Sequence, residues 1–170
     1  GAAGESARPE WSARARPRER SEPGTRRLAP DAAPLAGLRV LDLTAFWAGP
    51  YAGFALACLG ADVIHVESIQ RPDGMRFGTT VPPGSDRWWE RGPTFHSANT
   101  GKRSLTLDLS RPEGRELLLR LARESDVLIE NYSPRVLENF GLGWEALEAR
   151  CPQLVLVRMP AFGLGGPWRN

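Results

Sequence analysis

The stretch LRVLDLTAFWAGPYAGFALACLGADVIHVE, residues 38–67, decides the fold. Leu38–Leu43 is short and almost wholly apolar, which suits a strand buried on both faces. Tyr51–Leu59 reads as a small Ala-rich helix, stopped by Gly60. Asp62–Glu67 repeats the strand character. Strand, helix and strand at this length form the βαβ unit of a parallel sheet.

The same alternation continues toward the C-terminus. Ser68–Thr100 is rich in Gly, Pro, Arg and Trp and reads as one long irregular loop, a length that usually marks function. Ser104–Leu109 is a strand. Ser110 is expected to cap the next helix, with Glu113 completing a capping box and Pro112 in the first turn. That helix runs to about Glu124, with Leu117, Leu118, Leu121 and Ala122 on one face. Asp126–Glu130 is a strand, Val136–Phe140 and Trp144–Arg150 are short helices, and Leu154–Met159 is a further strand. The expected fold is α/β: a Rossmann-like, open, mostly parallel sheet with helices on both faces, incomplete at its C-terminal edge.

Residues 1–36 differ in kind. They combine Pro, Gly, Ala, Arg and Glu with a single aromatic, Trp11, and cannot bury enough surface to offset ordering entropy. They are expected to be a disordered arm or linker ahead of a domain at 37–170, in a piece cut from a longer polypeptide. The arm holds seven Arg against five acidic residues and so carries the whole net charge of +2, leaving the remainder neutral. A neutral domain offers no basic face for nucleic acid. No apolar run is long enough to span a bilayer, so no membrane partner is expected. Two cysteines, Cys58 and Cys151, make no disulfide framework or zinc site. Both are expected to be buried free thiols in a reducing, cytoplasmic compartment, and no metal is expected.

Ligands of open α/β sheets bind at the carboxyl ends of strands, which directs attention to Thr44–Gly53. A dinucleotide fingerprint would need G-x-G-x-x-G here. Phe46, Trp47 and Pro50 instead occupy the tight turn, which argues against NAD or FAD even though Glu67 ends the second strand. Two readings of the turn stay open on composition. It is either a structural strand-to-helix connection with Phe46 and Trp47 in the core, or a helix start whose free N–H groups meet an anion or polarised carbonyl.

Five segments in order resemble family III CoA-transferases, the CaiB/BaiF-type acyl-CoA transferases and carnitine dehydratases. They are Leu38–Glu67; Asp73-Gly-Met-Arg76; Asn99-Thr-Gly-Lys-Arg-Ser104 with Leu107-Asp-Leu109 and Arg111-Pro-Glu-Gly114; Asp126–Pro134; and Phe162-Gly-Leu-Gly-Gly-Pro167. The resemblance covers residues 35–170 and implies coenzyme A or acyl-CoA as substrate, with no permanently bound cofactor.

It implies a binding site made by Phe46, Trp47, Ala48, Arg76, Lys102, Arg103, Asn131 and Tyr132. Lys102 and Arg103 would meet the phosphates of CoA by charge-assisted bonds, and Tyr132 would wall its channel and offer a hydroxyl. Glu130 is open to either a backbone or a ligand role. Ser68, Asn139, Arg135 and Gly101 depart from the family pattern, with Arg71 and Arg76 placed to compensate for Ser68. Neither His65 nor His96 has a Ser, Cys or metal-ligand partner at motif spacing, so neither is expected to be catalytic, and Trp88-Trp89-Glu90 is expected to pack the long loop.

The implied reaction moves CoA between an acyl-CoA and a carboxylic acid through an enzyme carboxylate. The resemblance places that carboxylate beyond Asn170, so the chain alone is expected to be inactive. It also implies an interlocked homodimer for the longer protein. The alternatives are an acyl-CoA racemase of the same superfamily and a non-catalytic α/β binding or assembly module.

Overall fold

Consecutive apolar residues on the inner strands supply two cores, one for each face of a sheet. The computed structural model describes residues 32–78 and 81–169. Its strands are β1 (Arg39–Asp42), β2 (Asp62–Glu67), β3 (Arg103–Thr106), β4 (Val127–Glu130) and β5 (Val155–Arg158), all parallel, in the spatial order β3-β2-β1-β4-β5. Val40 lies beside Val63 and Val127 in register, and Leu41 beside Ile64 and Leu128.

Because side chains alternate across a strand, Leu41, Ile64 and Leu128 enter the larger core, whereas Val40, Val63 and Ile129 enter the smaller one. Helices α3 (Pro112–Arg123), α4 (Arg135–Asn139) and α5 (Trp144–Arg150) cover the first face through Leu118, Leu137 and Leu147. Helix α1 (Ala48–Cys58) covers the second through Leu56 and Ala57. Leu41, Leu128 and Leu137 are fully buried, and burial of each contributes about 1.5–3 kcal/mol. Helices therefore lie on both faces of a parallel Rossmann-like sheet, as the strand composition predicts.

Several local expectations change. Ser110 does not cap α3: Asp108 accepts from both its N–H and its hydroxyl, at 3.0 and 2.6 Å, and Arg111 becomes the N-cap without a side-chain bond. The nearer carboxylate holds the hydroxyl that the capping box requires. Cys58 is exposed, while Cys151 is buried; the last turn of α1 touches the sheet through Leu56 and Ala57 and leaves Cys58 in solvent.

The long loop is also less irregular than its composition suggests. It holds two 3₁₀ turns, Gly74–Phe77 and Trp88–Arg91, and the helix α2 (Pro93–Asn99). Of the expected arm, residues 1–31 lie outside the described residues. Leu35 already belongs to the packed domain: its N–H donates to Leu59 O at 2.8 Å and its side chain meets the smaller core. No helix among the described residues is long and apolar enough to cross a membrane.

Candidate functional site

The sheet extends in opposite directions from β1 and β4, because β2 and β3 follow on one side and β5 on the other. Open α/β sheets usually bind ligands at such a switch point, in the crevice outside the carboxyl ends of the two strands. Two loops meet there, Leu43–Trp47 after β1 and Asn131–Pro134 after β4.

Three polar side chains hold the first loop. Thr44 donates its hydroxyl and its N–H to Asp42 Oδ1, at 2.5 and 3.0 Å. Asn131 pairs with Ala45 at both ends of its amide, accepting from Ala45 N at 2.9 Å and donating to Ala45 O at 2.8 Å. Asp73 accepts from Phe46 N at 3.1–3.2 Å. Phe46 is thereby kept at φ 67°, a left-handed conformation uncommon for a non-glycine residue. Strained backbone of this kind persists where its surroundings over-determine it, and it clusters at functional sites.

Beyond this clamp the rings turn outward. Phe46 and Trp47 are 57% and 53% exposed, which rules out the core reading of the turn. Trp47 stacks on Tyr51 with centroids 5.7 Å apart. Ala48, also exposed, opens α1.

Below the loop runs a chain of buried charges. Lys102 Nζ donates to Asp42 Oδ2 at 2.7 Å, to Pro50 O at 2.8 Å and to Asn99 Oδ1 at 2.8 Å. A Cβ on Gly53 would lie 2.5 Å from Asp42 Oδ2 and 3.1 Å from Lys102 Nζ, so α1 can cross this pair closely only with glycine there. His65 lies between Asp42 Oδ2, 3.6 Å from Nδ1, and Glu67 Oε2, 3.4 Å from Nε2. These are ion-pair distances; neither ring nitrogen makes a hydrogen bond. Arg76 joins Glu67 at 2.7 Å to Glu90 at 2.9 Å and covers the face of Phe95 at 3.7 Å.

Burial alone would raise the pKa of Asp42, but the nearby His65 ring and the Lys102 ammonium bring it below the ordinary value. Burial lowers the pKa of Lys102, with Asp42 and Asp73 opposing. Burial would lower the pKa of His65, yet the carboxylates of Asp42 and Glu67 raise it above 6.5.

A group with a raised folded pKa adds stability that is fully present below its unfolded pKa and disappears as pH rises through the folded one. The stability difference between the native chain and His65→Gln is therefore expected to be constant below about pH 6.5, the unfolded value, and to shrink above it. Urea denaturation from pH 5.5 to pH 9 reads this. A gap that grows with pH would show His65 to be held neutral.

The eight residues predicted for the site fall into two groups. Phe46, Trp47, Asn131 and Tyr132 belong to the two loops at the crevice, and Ala48 follows as the first residue of α1. Tyr132 packs its ring against the larger core and donates its backbone N–H to Glu130 Oε2 at 2.7 Å. Its hydroxyl is pushed up to about 12, first by burial and then by the charges of Glu130 and Asp42, with Arg71 opposing, so it stays a proton donor at neutral pH. Glu130 thus takes the backbone role.

Arg76, Lys102 and Arg103 instead line a cavity of about 620 Å³ beside β3, together with His65, Phe77 and Trp89. The protein engages all three. Arg103 bonds both oxygens of Asp62 at 2.6–2.8 Å near the amino end of β2. Arg71, in contrast, is exposed, and among the described residues no carboxylate forms an ion pair with it. Sequence reasoning missed Asp42, Thr44 and Glu67 as parts of the support. The available signal was an aspartate inside an otherwise apolar strand, since a charge there requires a partner.

Residues 35–170 match the sequence model of CoA-transferase family III. The chain is 44% identical over 138 residues to the succinyl-CoA–D-citramalate CoA-transferase of Chloroflexus aurantiacus, covering 81% of this chain and 33% of that protein. It is 40% identical to the succinate–glutarate CoA-transferase of Agrobacterium fabrum, covering 81% of this chain and 34% of that one. The crystal structure of a CAIB/BAIF family protein from Brucella suis superposes with a TM-score of 0.71 at 45% identity, over 81% of this chain and 36% of that chain. The chain spans about a third of the length of the curated relatives it matches.

Proposed function

The chain belongs to CoA-transferase family III, and from that membership we propose that it supplies the CoA-thioester site of an enzyme moving CoA between an acyl-CoA and a carboxylic acid. The observation that carries this reading is the clamped loop at the β1/β4 crevice, which holds Phe46 and Trp47 outward at the sheet's switch point. In this reading the two rings wall the thioester end and Tyr132 backs the channel. Arg71 is the cation assigned to a CoA phosphate, because Arg76 is held by Glu67 and Glu90. Lys102 and Asn131 position the loop, because their polar groups already bond to the protein.

Transfer proceeds when an enzyme carboxylate attacks the thioester carbonyl and the CoA thiolate leaves, forming a mixed anhydride. The thiolate then attacks the enzyme's own acyl carbonyl, and the donor acid departs as carboxylate. The acceptor carboxylate attacks this enzyme thioester and expels the thiolate, which then attacks the acceptor carbonyl of the second anhydride, giving the new acyl-CoA and the free enzyme carboxylate. Among the described residues the buried carboxylates are engaged, Asp42 by Lys102, Glu130 by Arg158 and Asp73 by backbone amides, and the half-buried Glu67 is engaged by Arg76. From the family resemblance we assign binding to this chain and the nucleophile to a carboxylate outside it.

Calorimetric titration of the folded chain with CoA tests the reading: saturable heat is expected, and a folded sample giving none up to millimolar CoA would sink it. Trp47→Ala is expected to weaken acyl-CoA binding by about threefold to tenfold, the value of an aromatic contact of about 0.5–1.5 kcal/mol. An unchanged affinity would remove Trp47 from the site.

A further inference from the structure

We propose that Asp73 is a positioning residue for thioester binding, acting through the backbone of Phe46. This rests on the CoA reading of the same loop. Asp73 is 3% exposed, lies 27 residues from Phe46 in sequence, and accepts the Phe46 N–H with both carboxylate oxygens. Its Oδ1 also accepts from Met75 N at 2.9 Å and so caps the 3₁₀ turn Gly74–Phe77. The residue that fixes this turn therefore also fixes the loop after β1.

The next residue adds a steric half to the same device. A Cβ on Gly74 would approach the Phe46 ring to 2.9 Å, so glycine leaves the room into which that ring fits. Phe46 holds φ 67°, and an L-residue leaves the left-handed region unless something retains it. Ala45 on one side is held by Asn131 and the helix α1 begins two residues later. Without the Asp73 acceptor, Phe46 relaxes to negative φ and carries its own ring and that of Trp47 out of place.

The test is a cycle of variants: Asp73→Ala with Phe46 intact, and Asp73→Ala combined with Phe46→Gly, each against its own parent. Glycine takes a positive φ without being held. With Phe46 present, Asp73→Ala is expected to raise the Kd for CoA about tenfold, as release of one strained backbone conformation would. With Phe46→Gly the same change is expected to cost at most about twofold. An equal factor in both backgrounds would show that Asp73 does not act through the Phe46 backbone and would overturn the proposal.

Amide hydrogen exchange gives a readout independent of CoA. In Asp73→Ala the Phe46 amide is expected to lose protection while that of Val66, inside β2, keeps it; a Phe46 amide as protected as in the native chain overturns the proposal. Should the native chain take up no CoA, the functional reading fails and exchange alone decides the role of Asp73. Should Val66 also lose protection, Asp73→Asn, which keeps one acceptor oxygen, carries the comparison. Partial loss at Phe46 is then the expected result and full native protection the refuting one.

Discussion

Lys102→Met is expected to destabilise the chain by about 3–5 kcal/mol, the usual cost of removing one partner of a buried ion pair. The Lys102 side chain is 1% exposed and that of Asp42 0%. Its methylenes can be replaced, but three acceptors lose their donor, and one of them is a carboxylate without access to water. Asp42 would keep only the two bonds from Thr44 and the proximity of His65. Native stabilities are about 5–15 kcal/mol, so the loss takes a large share of the total.

The loss should also depend on pH. Lys102 opposes protonation of His65, so its removal leaves His65 as the one cation beside Asp42. Above the pKa of His65 that compensation ends, and the deficit is expected to be larger at pH 8.5 than at pH 6. Lys102→Met combined with Asp42→Asn should recover most of the loss, since no buried charge then stands alone. Arg103→Ala is the control: its side chain is 61% exposed, and such pairs contribute about 0–1 kcal/mol. Urea denaturation of the four proteins checks the pattern. Equal losses for Lys102→Met and Arg103→Ala would mean that burial does not govern this network.

Those two neighbours mark the limit of what the sequence made legible. Lys-Arg in a matching motif suggested a joint phosphate site, yet Arg103 opens β3 and reaches back to Asp62, whereas Lys102 precedes the strand and turns under α1. Both border the cavity beside β3, but each is engaged by its own carboxylate. What could not be read was the partner. Lys102 meets Asp42 from 60 residues away, and Arg76 meets a carboxylate 9 residues before it and another 14 after.

Apolar runs and their spacing are properties of a segment, so all five strands and the helices α1, α3, α4 and α5 were visible in outline. Ion pairing is a property of the assembled sheet. Asn131 was singled out, but its pairing with Ala45 depends on β4 lying beside β1, which no local signal gives. The exposure of Phe46 and Trp47 follows likewise from a bond to Asp73 across 27 residues. Composition had left that turn open between core and site.

Arg158→Met is expected to match Lys102→Met in size, about 3–5 kcal/mol by the same rule, but for a different part of the crevice. Glu130, at the end of β4, is 0% exposed. Its Oε1 accepts from Arg158 Nε at 2.6 Å and its Oε2 from Tyr132 N at 2.7 Å. Arg158 further reaches Glu138 at 3.0 Å and Pro134 O at 2.7 Å, so one guanidinium on β5 ties the end of β4 to the loop and to α4. Burial would weaken its charge, but Glu130 and Glu138 hold its pKa above the ordinary value. In Arg158→Met the loop keeps the Tyr132 bond and loses everything that balances the carboxylate. Combining it with Glu130→Gln removes the stranded charge and retains an acceptor for Tyr132 N. The double variant is therefore expected to be more stable than Arg158→Met alone, which is the reverse of simple additivity. Losses that add in denaturation would show that Arg158 works by packing rather than by pairing. If they interact as expected, the Asn131–Pro134 loop is held by charge just as the Leu43–Trp47 loop is held by Asp42, Asp73 and Asn131, and both walls of the crevice are set before any ligand arrives.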